Sequence, residues 1–383
     1  MQSKLSLVMR NVVRATVVVG AALIASAIPL SSAYAGQTDG FVDQAQVQAE
    51  AQAQAAWREN VRHFAPPVQG CYHASYPNLK WEKIACGPVS GYRSARRKVS
   101  HPNEQVTGSG YDYSAQAPSG NLISEAVGSF PTVTGVKSEK GAGVPQYGNG
   151  GILGANQYTL QLNTNMDSNS AACAGYSGCQ SWQQYILVSD DVNSAGTALT
   201  GTTDVFIQTW LENYGQDVDG GTTNICPSGY TDAGADSNGG SGDDCYQNSP
   251  ATVIANQLPI TALASLKISG TATTNGTDTA TVTYGTQAYS SSTQDSISDI
   301  ANGWNQVEFN VVGNAGGSRA DFNSGSSLTV AVALTDGSSS APTCVGPSNG
   351  GTTGETNNLN LGSCSVSAGS GSSSPAIRFT ESN

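Results

Sequence analysis

From about residue 120 to the C-terminus, short runs alternate apolar and polar residues between Gly-, Ser- and Asn-rich turns. They include YTLQLNTN (158–165), WQQYILVSD (182–190), DVFIQTWLENY (204–214), ASLKISGTAT (264–273), DTATVTYG (278–285), WNQVEFNVVG (304–313), SLTVAVAL (327–334) and AIRFTES (376–382). A period of two sends alternate side chains to opposite faces of a strand, so each run can bury one face against a second sheet. No helical pattern intervenes, which excludes parallel sheets built on helical crossovers. The expected fold is therefore all-β: an antiparallel two-sheet β-sandwich or jelly roll. A charged fraction of only 11%, with 45 glycines, suits many strands joined by polar turns.

The preceding residues read differently. Lys4, Arg10 and Arg14 lead into VVVGAALIASAIPL, and Ala33-Tyr34-Ala35 has the small-residue spacing of a cleavage site, so 1–35 reads as an export signal. No later segment is apolar enough to cross a membrane. Residues 36–118 then form a leader: a helix over 41–63, a disulfide-closed unit over 71–86 and a basic linker over 87–118. The β-domain spans 119–383. Eight cysteines fall as neighbours, Cys71/Cys86, Cys173/Cys179, Cys226/Cys245 and Cys344/Cys364. In an exported chain this pattern predicts four disulfides, each closing one local loop, and none of the spacings is that of a zinc site.

Charge divides along the same boundary. Residues 119–383 carry 21 acids against five basic residues, whereas 36–118 carry seven acids against eight. An acidic body excludes nucleic acid and anionic membrane as natural partners. A basic leader on an acidic groove would be held at neutral pH and released in acid. Arg96-Arg97-Lys98 reads either as a solvated charge run, the commoner case, or as a processing region.

The three histidines, His63, His73 and His101, all lie in the leader, so the β-domain has none. Ser-His-Asp, Cys-His and conventional zinc hydrolase sites are therefore excluded there. Chemistry, if any, must run on carboxylates, amides and hydroxyls: glycoside hydrolysis, acid-type peptide hydrolysis or polysaccharide lysis. No cofactor motif is present. Asp190-Asp191 and Asp217-Val218-Asp219 offer oxygen ligands without the spacing of a calcium loop, so no metal site is expected.

Two strands carry the candidate chemistry. In WNQVEFNVVG, Val307, Phe309 and Val311 face inward while Gln306, Glu308 and Asn310 face the other way. In VFIQTWLENY, Val205, Ile207, Thr209 and Leu211 share one face. Phe206, Gln208, Trp210, Glu212 and Tyr214 share the other. If both strands belong to one sheet, Glu308 comes opposite Gln208 or Trp210, and an apolar wall raises its pKa into the range of a general acid or base. Trp182, Trp210, Trp304 and Tyr214 could alternatively stack on sugars, with Glu212 and Glu308 as a glycosidase pair. A surface protein without catalysis is the third reading.

Over roughly 180–335 the chain resembles the eqolisin-type glutamic peptidases. The resemblance rests on Trp210-Leu211-Glu212-Asn213-Tyr214, on the Thr- and Ser-rich stretch SLKISGTATTNGTDTATVTYGTQAYSSST, and on Gln306-Val307-Glu308-Phe309-Asn310-Val311 followed by Ala320-Asp321-Phe322. It implies an exported, propeptide-bearing acid endopeptidase. Glu308 and a Gln would activate water, with Gln208 first and Gln184 second as the amide. Trp210, Glu212 and Tyr214 would contact substrate. The expected partner is an extracellular polypeptide (alternatively a polysaccharide), and the expected working form is a monomer.

Overall fold

The computed structural model describes residues 44–383 apart from 65, 67, 94–106, 145–151, 217–222, 237–239, 255, 348–352 and 372. The expected export signal and Arg96-Arg97-Lys98 lie outside the described residues. The chain divides into two units, 1–47 and 48–383, and the second holds every strand among the described residues.

Helix α1 (Gln44–Val61) forms where the Ala- and Gln-rich sequence predicts it. The strands follow as β1 (Gly70–Ser75), β2 (Glu82–Ile84), β3 (Ser114–Gln116), β4 (Glu125–Thr134), β5 (Glu139–Gly143), β6 (Gly154–Ala155) and β7 (Tyr158–Thr164). Then come β8 (Gln180–Val188), β9 (Thr203–Tyr214), β10 (Thr231–Ala235), β11 (Asp243–Asn248), β12 (Thr252–Ile254), β13 (Leu266–Thr271), β14 (Thr277–Tyr284) and β15 (Gln287–Gln294). The last are β16 (Gln306–Gly313), β17 (Ser318–Phe322), β18 (Ser327–Thr335), β19 (Thr343–Val345), β20 (Thr356–Asn357), β21 (Asn360–Ser367) and β22 (Ala376–Ser382).

Two large antiparallel sheets form a β-sandwich. One runs β2-β1-β15-β14-β13-β4-β18-β22-β21. The other runs β10-β11-β9-β8-β7-β16-β3-β19, with β12 beside β9. A small sheet, β20-β17-β5-β6, flanks them. The inward positions read from the alternation form one core: Leu160, Leu162, Val205, Ile207, Val307, Phe309 and Val311 from the second sheet meet Ile268, Val282, Phe130, Val330 and Val332 from the first. Phe309 and Phe130 approach to 5.1 Å between centroids, a contact across the sandwich. Pro131 lies within β4, and the β4–β18 register slips there, with Thr329 opposite Thr132 but Ala331 opposite Ser129. A proline cannot donate to the ladder, so the slip takes the form of a bulge.

All four expected disulfides are present: Cys71–Cys86, Cys173–Cys179, Cys226–Cys245 and Cys344–Cys364. Cys364 corrects the expectation that each bridge merely closes a local loop. Cys344 lies on β19, the last strand of the second sheet, and Cys364 on β21, the last strand of the first, so their bond joins the two sheets at one edge. The β21–β22 register shifts between Leu361 and Cys364. Cys364 is only half-buried, like Cys344, whereas Cys71, Cys173, Cys179 and Cys245 are buried. Spacing of 20 residues along the chain predicts the pairing but not that the partners belong to different sheets.

The unit closed by Cys71–Cys86 is not self-contained either. β1 pairs with β15 from Gly70↔Ser292 to Ser75↔Gln287 and so extends the first sheet. So short a loop cannot bury its own core. Instead Tyr72, Ala74 and Trp81 are buried with Ala288 beneath Trp57 and Val61 of α1. β3 goes further still, lying between β16 and β19 inside the second sheet although it belongs to the sequence-defined leader. The Gly-, Asp- and Ser-rich segment after Tyr214 also contains β10, which pairs with β11.

Candidate functional site

Gln306, Glu308 and Asn310 lie on the face of the second sheet opposite the core, as the alternation of β16 requires. Cross-strand register then builds one row across that face. Glu308 stands opposite Asn163 of β7, Asn163 opposite Gln184 of β8, Gln184 opposite Gln208 of β9, and Gln208 opposite Asn248 of β11. Directly paired residues share a face, so one carboxyl and four amides share a single line. At about 4.8 Å per strand, Gln184 stands roughly 10 Å from Glu308 along the backbone and Gln208 roughly 14 Å. Glutamate and glutamine side chains can close the first gap around one water; the second is too wide. Of the two sequence candidates, Gln184 stands nearer to Glu308 and Gln208 one strand farther.

The row is roofed by the leader. At one end Gly108 lies over Glu308 with φ +61°, and a Cβ there would fall 2.1 Å from the carboxyl carbon, so only glycine fits. The Ser109 N–H donates to Glu308 Oε1 at 2.8 Å. Glu308 is 2% exposed. Burial holds its carboxyl well above the usual carboxylate range, and the charge of Asp112 adds to this, while the Ser109 and Gly110 N–H groups pull the other way. Asp112 is itself raised to about 6 by burial against hydrogen bonds from Asn310 and Ser109. Glu381 is raised to about 8 by burial and then by Asp112. Its Oε2 accepts from Asn357 Nδ2 at 3.1 Å. Three acids thus converge, one of them supplied by the leader.

At the other end Tyr92 is fully buried. Its carbonyl accepts from Gln208 Nε2 at 3.0 Å and from Asn248 Nδ2 at 2.8 Å. Its hydroxyl accepts from Gln161 Nε2 at 2.6 Å. Gln184 Nε2 in turn donates to Asn163 Oδ1 at 2.7 Å and to Gln161 Oε1 at 3.2 Å. A continuous amide network therefore joins the roof to the candidate dyad.

Trp210 and Glu212 keep the face they share with Gln208. Trp210 Nε1 donates to Gln208 Oε1 at 2.8 Å, and Trp182 Nε1 donates to Glu212 Oε1 at 2.9 Å. The two indoles stack at 5.9 Å, and both are completely buried. Trp304 sits in the sandwich core. No indole among the three is displayed as a platform.

Tyr214 departs from the expected row. Asn213 has φ +52°, and the β9–β11 register shifts between Asp243 and Cys245. This bulge turns Tyr214 toward Leu211 and the Cys173, Cys179 and Cys245 sulfurs, where its ring meets Tyr176 at 4.3 Å. Glu212 likewise does not meet Glu308. Three strands and four residues apart, they stand on the order of 20 Å from each other, beyond the roughly 5–9.5 Å of a glycosidase pair. Glu212 instead brings a carboxylate oxygen within 4.8 Å of oxygens from Asp236 and Asp244. Asp190 and Asp191 anchor loops: Asp190 accepts from Gln157 and Gly201, and Asp191 from Ser90 and Val192. Asp217 and Asp219 lie outside the described residues.

The expected electrostatic hold of a basic leader on the cleft is not what the described contacts provide. Ser90, Tyr92, Gly108 and Ser109 are uncharged, and Asp112 is acidic. Leader bases act elsewhere, where Arg62 reaches Glu125 at 3.4 Å and Arg58 donates to the Gly285 carbonyl at 2.9 Å.

Sequence reasoning missed Gln161 and Asn163, although YTLQLNTN alternates them with Leu160 and Leu162 of the core. It also missed Asp112 and Glu381, which no local pattern connects. Comparison with protein-family models, curated proteins and solved structures gives no match. Among the described residues no helix is long and apolar enough to cross a membrane.

Proposed function

We propose that the chain is an exported endopeptidase acting in acid, with Glu308 and Gln184 as its working pair and the leader as its latency device. The reading rests on one observation: Glu308, Asn163, Gln184 and Gln208 form one row on a histidine-free face, closed at both ends by leader residues. The four disulfides fit an oxidising compartment.

In this reading a peptide replaces the roof and a water sits between the carboxyl and the amide. Ionised Glu308 takes a proton from that water as the hydroxyl adds to the scissile carbonyl. Gln184 Nε2, giving up its bond to Asn163 Oδ1, donates to the oxygen that gains charge. Glu308 then returns the proton to the leaving amine. A buried, protonated Glu308 cannot begin this sequence. Displacing residues 107–112 removes both the burial and the Asp112 charge, bringing its pKa down toward the ordinary range. After a cut within 94–106 these residues stay tethered to β3, so the release comes from their swinging aside and not from their loss.

The positions of three leader strands set the expected cut. β1 and β2 lie at the edge of their sheet and can depart, whereas β3 is enclosed by β16 and β19. The cut is accordingly expected within 94–106, which contains Arg96-Arg97-Lys98. Residues 36–383, incubated from pH 3 to pH 7 with casein and followed by mass spectrometry, should shorten to a body beginning in that window and degrade casein in acid. An unchanged mass with intact casein at every pH would overturn the proposal.

A further inference from the structure

Residues 87–93 are held in the way a groove holds an extended peptide. The Gly87 N–H donates to the Ala251 carbonyl at 2.9 Å, and the Gly91 N–H to the Val192 carbonyl at 3.3 Å. Val89 bridges to Pro250. Asn248 Nδ2 reaches the carbonyls of Ser90 and Tyr92, Gln208 Nε2 reaches that of Tyr92, and the Gly316 N–H donates to Arg93. Such main-chain capture is indifferent to side chains, which leaves selectivity to pockets along the strand.

Two positions are selective here. The Tyr92 ring is enclosed by Ile186, Val188, Phe206, Ala251 and Ala315, with Phe206 edge-on at 5.8 Å. Its hydroxyl meets Gln161, whose carbonyl oxygen accepts from Gln184. One residue earlier, a Cβ on Gly91 would lie 2.2 Å from the Asn193 carbonyl oxygen and 2.8 Å from the Gly196 nitrogen. Both obstacles are backbone, so a side chain there is excluded. The apolar walls come from β8 and β9, which carry part of the amide row, and from Ala251 and Ala315 in connections of the body, not from the leader.

We infer that the pocket filled by Tyr92 is a subsite that takes a tyrosine, preceded by glycine, from an extended peptide once 87–93 has left. This rests on the peptidase reading above. It adds that an occupant hydroxyl orients Gln184 through Gln161, so phenylalanine is a poorer occupant than tyrosine and aliphatic residues are poorer still.

The test separates binding from cleavage. The full chain carrying Glu308→Gln, with its own residues 87–93 replaced by a Gly-Ser linker of the same length so that the groove is vacated, is titrated, by fluorescence anisotropy, into a labelled peptide copying residues 87–93 (Gly-Pro-Val-Ser-Gly-Tyr-Arg). Three analogues are compared: Phe for Tyr, Ala for Tyr, and Val for the second Gly. The Phe analogue should bind about five- to tenfold more weakly, for the lost hydroxyl contact. The Ala analogue should bind at least about thirtyfold more weakly, for the lost ring burial. The Val analogue should not bind measurably. In a second arm the acid-processed wild-type protein digests a peptide library, and cleaved sequences should carry Tyr after Gly at one fixed distance from the bond. Discrimination in the binding arm without any cleavage sustains the subsite and sinks the peptidase reading. Equal binding of the Tyr and Ala peptides, cleavage without aromatic preference, or silence in both arms overturns the inference.

Discussion

Glu308→Gln is expected to abolish acid processing and casein cleavage while leaving the fold intact. The loss should be at least about 10²–10⁴-fold, the usual range for removing a general base. Folding should survive because burial already disfavours an ionised Glu308 in the roofed chain. A glutamine places its carbonyl oxygen where Oε1 accepts from Ser109 and its NH₂ where the acid proton was. The variant should therefore unfold at the same urea concentration as the wild type at pH 4. At pH 8 it should be the more stable of the two, since it has no buried acid left to ionise at that position. Glu212→Gln is the matched control: its carboxyl lies far from Glu308 and should alter cleavage only a few-fold. A Glu308→Gln protein that folds, shortens in acid and degrades casein would remove Glu308 from the mechanism.

The second large effect concerns pH and stability. Asp112 is raised to about 6, Asp278 to about 7, and Glu139, Asp191 and Glu381 to about 8, burial being the largest cause in each case. A carboxyl whose folded-state pKa exceeds its unfolded value stays protonated in the native state while the unfolded chain ionises. Its favourable contribution is complete below about pH 4 and is lost as pH rises through the folded value. For Asp278 alone, a shift from 3.8 to about 7 corresponds to about 4 kcal/mol lost by pH 8. Glu59 works in the opposite direction: Lys267 and Arg62 outweigh its burial and lower it, but this half-exposed pair contributes little. Urea unfolding at pH 4, 6 and 8 should give midpoints that fall steadily with rising pH. A midpoint that is flat or rises from pH 4 to pH 8 would contradict the burial described for these acids.

How much of this was legible in the sequence depends on what each strand buries. β7, β8, β9, β16 and β18 announce themselves because branched or aromatic residues fill alternate positions. β10 (TDAGA), β15 (QAYSSSTQ) and β21 (NLGSCSVS) do not, since small and polar residues stand where a pattern would need bulk. They are strands because neighbours pair with them, which no local window reports. The same limit applies to Cys364: its partner is readable from spacing, but its place on an edge strand of the opposite sheet is not. The candidate site divides in the same way. That Glu308 and Gln208 leave the core on the same side follows from a period of two. That β7 and β8 lie between them is a matter of strand order, which alternation cannot give, and it puts Gln184 nearer to Glu308 than Gln208. Tyr214 is lost from the row by one extra residue at Asn213. The roof is the least legible part. Gly108, Asp112 and Tyr92 acquire their roles only from what they cover, and a run of small and polar residues reads as linker until its contacts are known.

In the proposed mechanism a carboxyl on β16 and an amide on β8 act together on one water. It is tested most directly by measuring kcat/KM of the acid-processed protein on a Gly-Tyr-containing fluorogenic peptide for Glu308→Gln, Gln184→Ala and the double variant. Groups that work as a unit lose nearly the same activity singly as together. The two single losses and the double loss should therefore agree within a few-fold. Independent losses that multiply in the double variant, or full activity in Gln184→Ala, would contradict it.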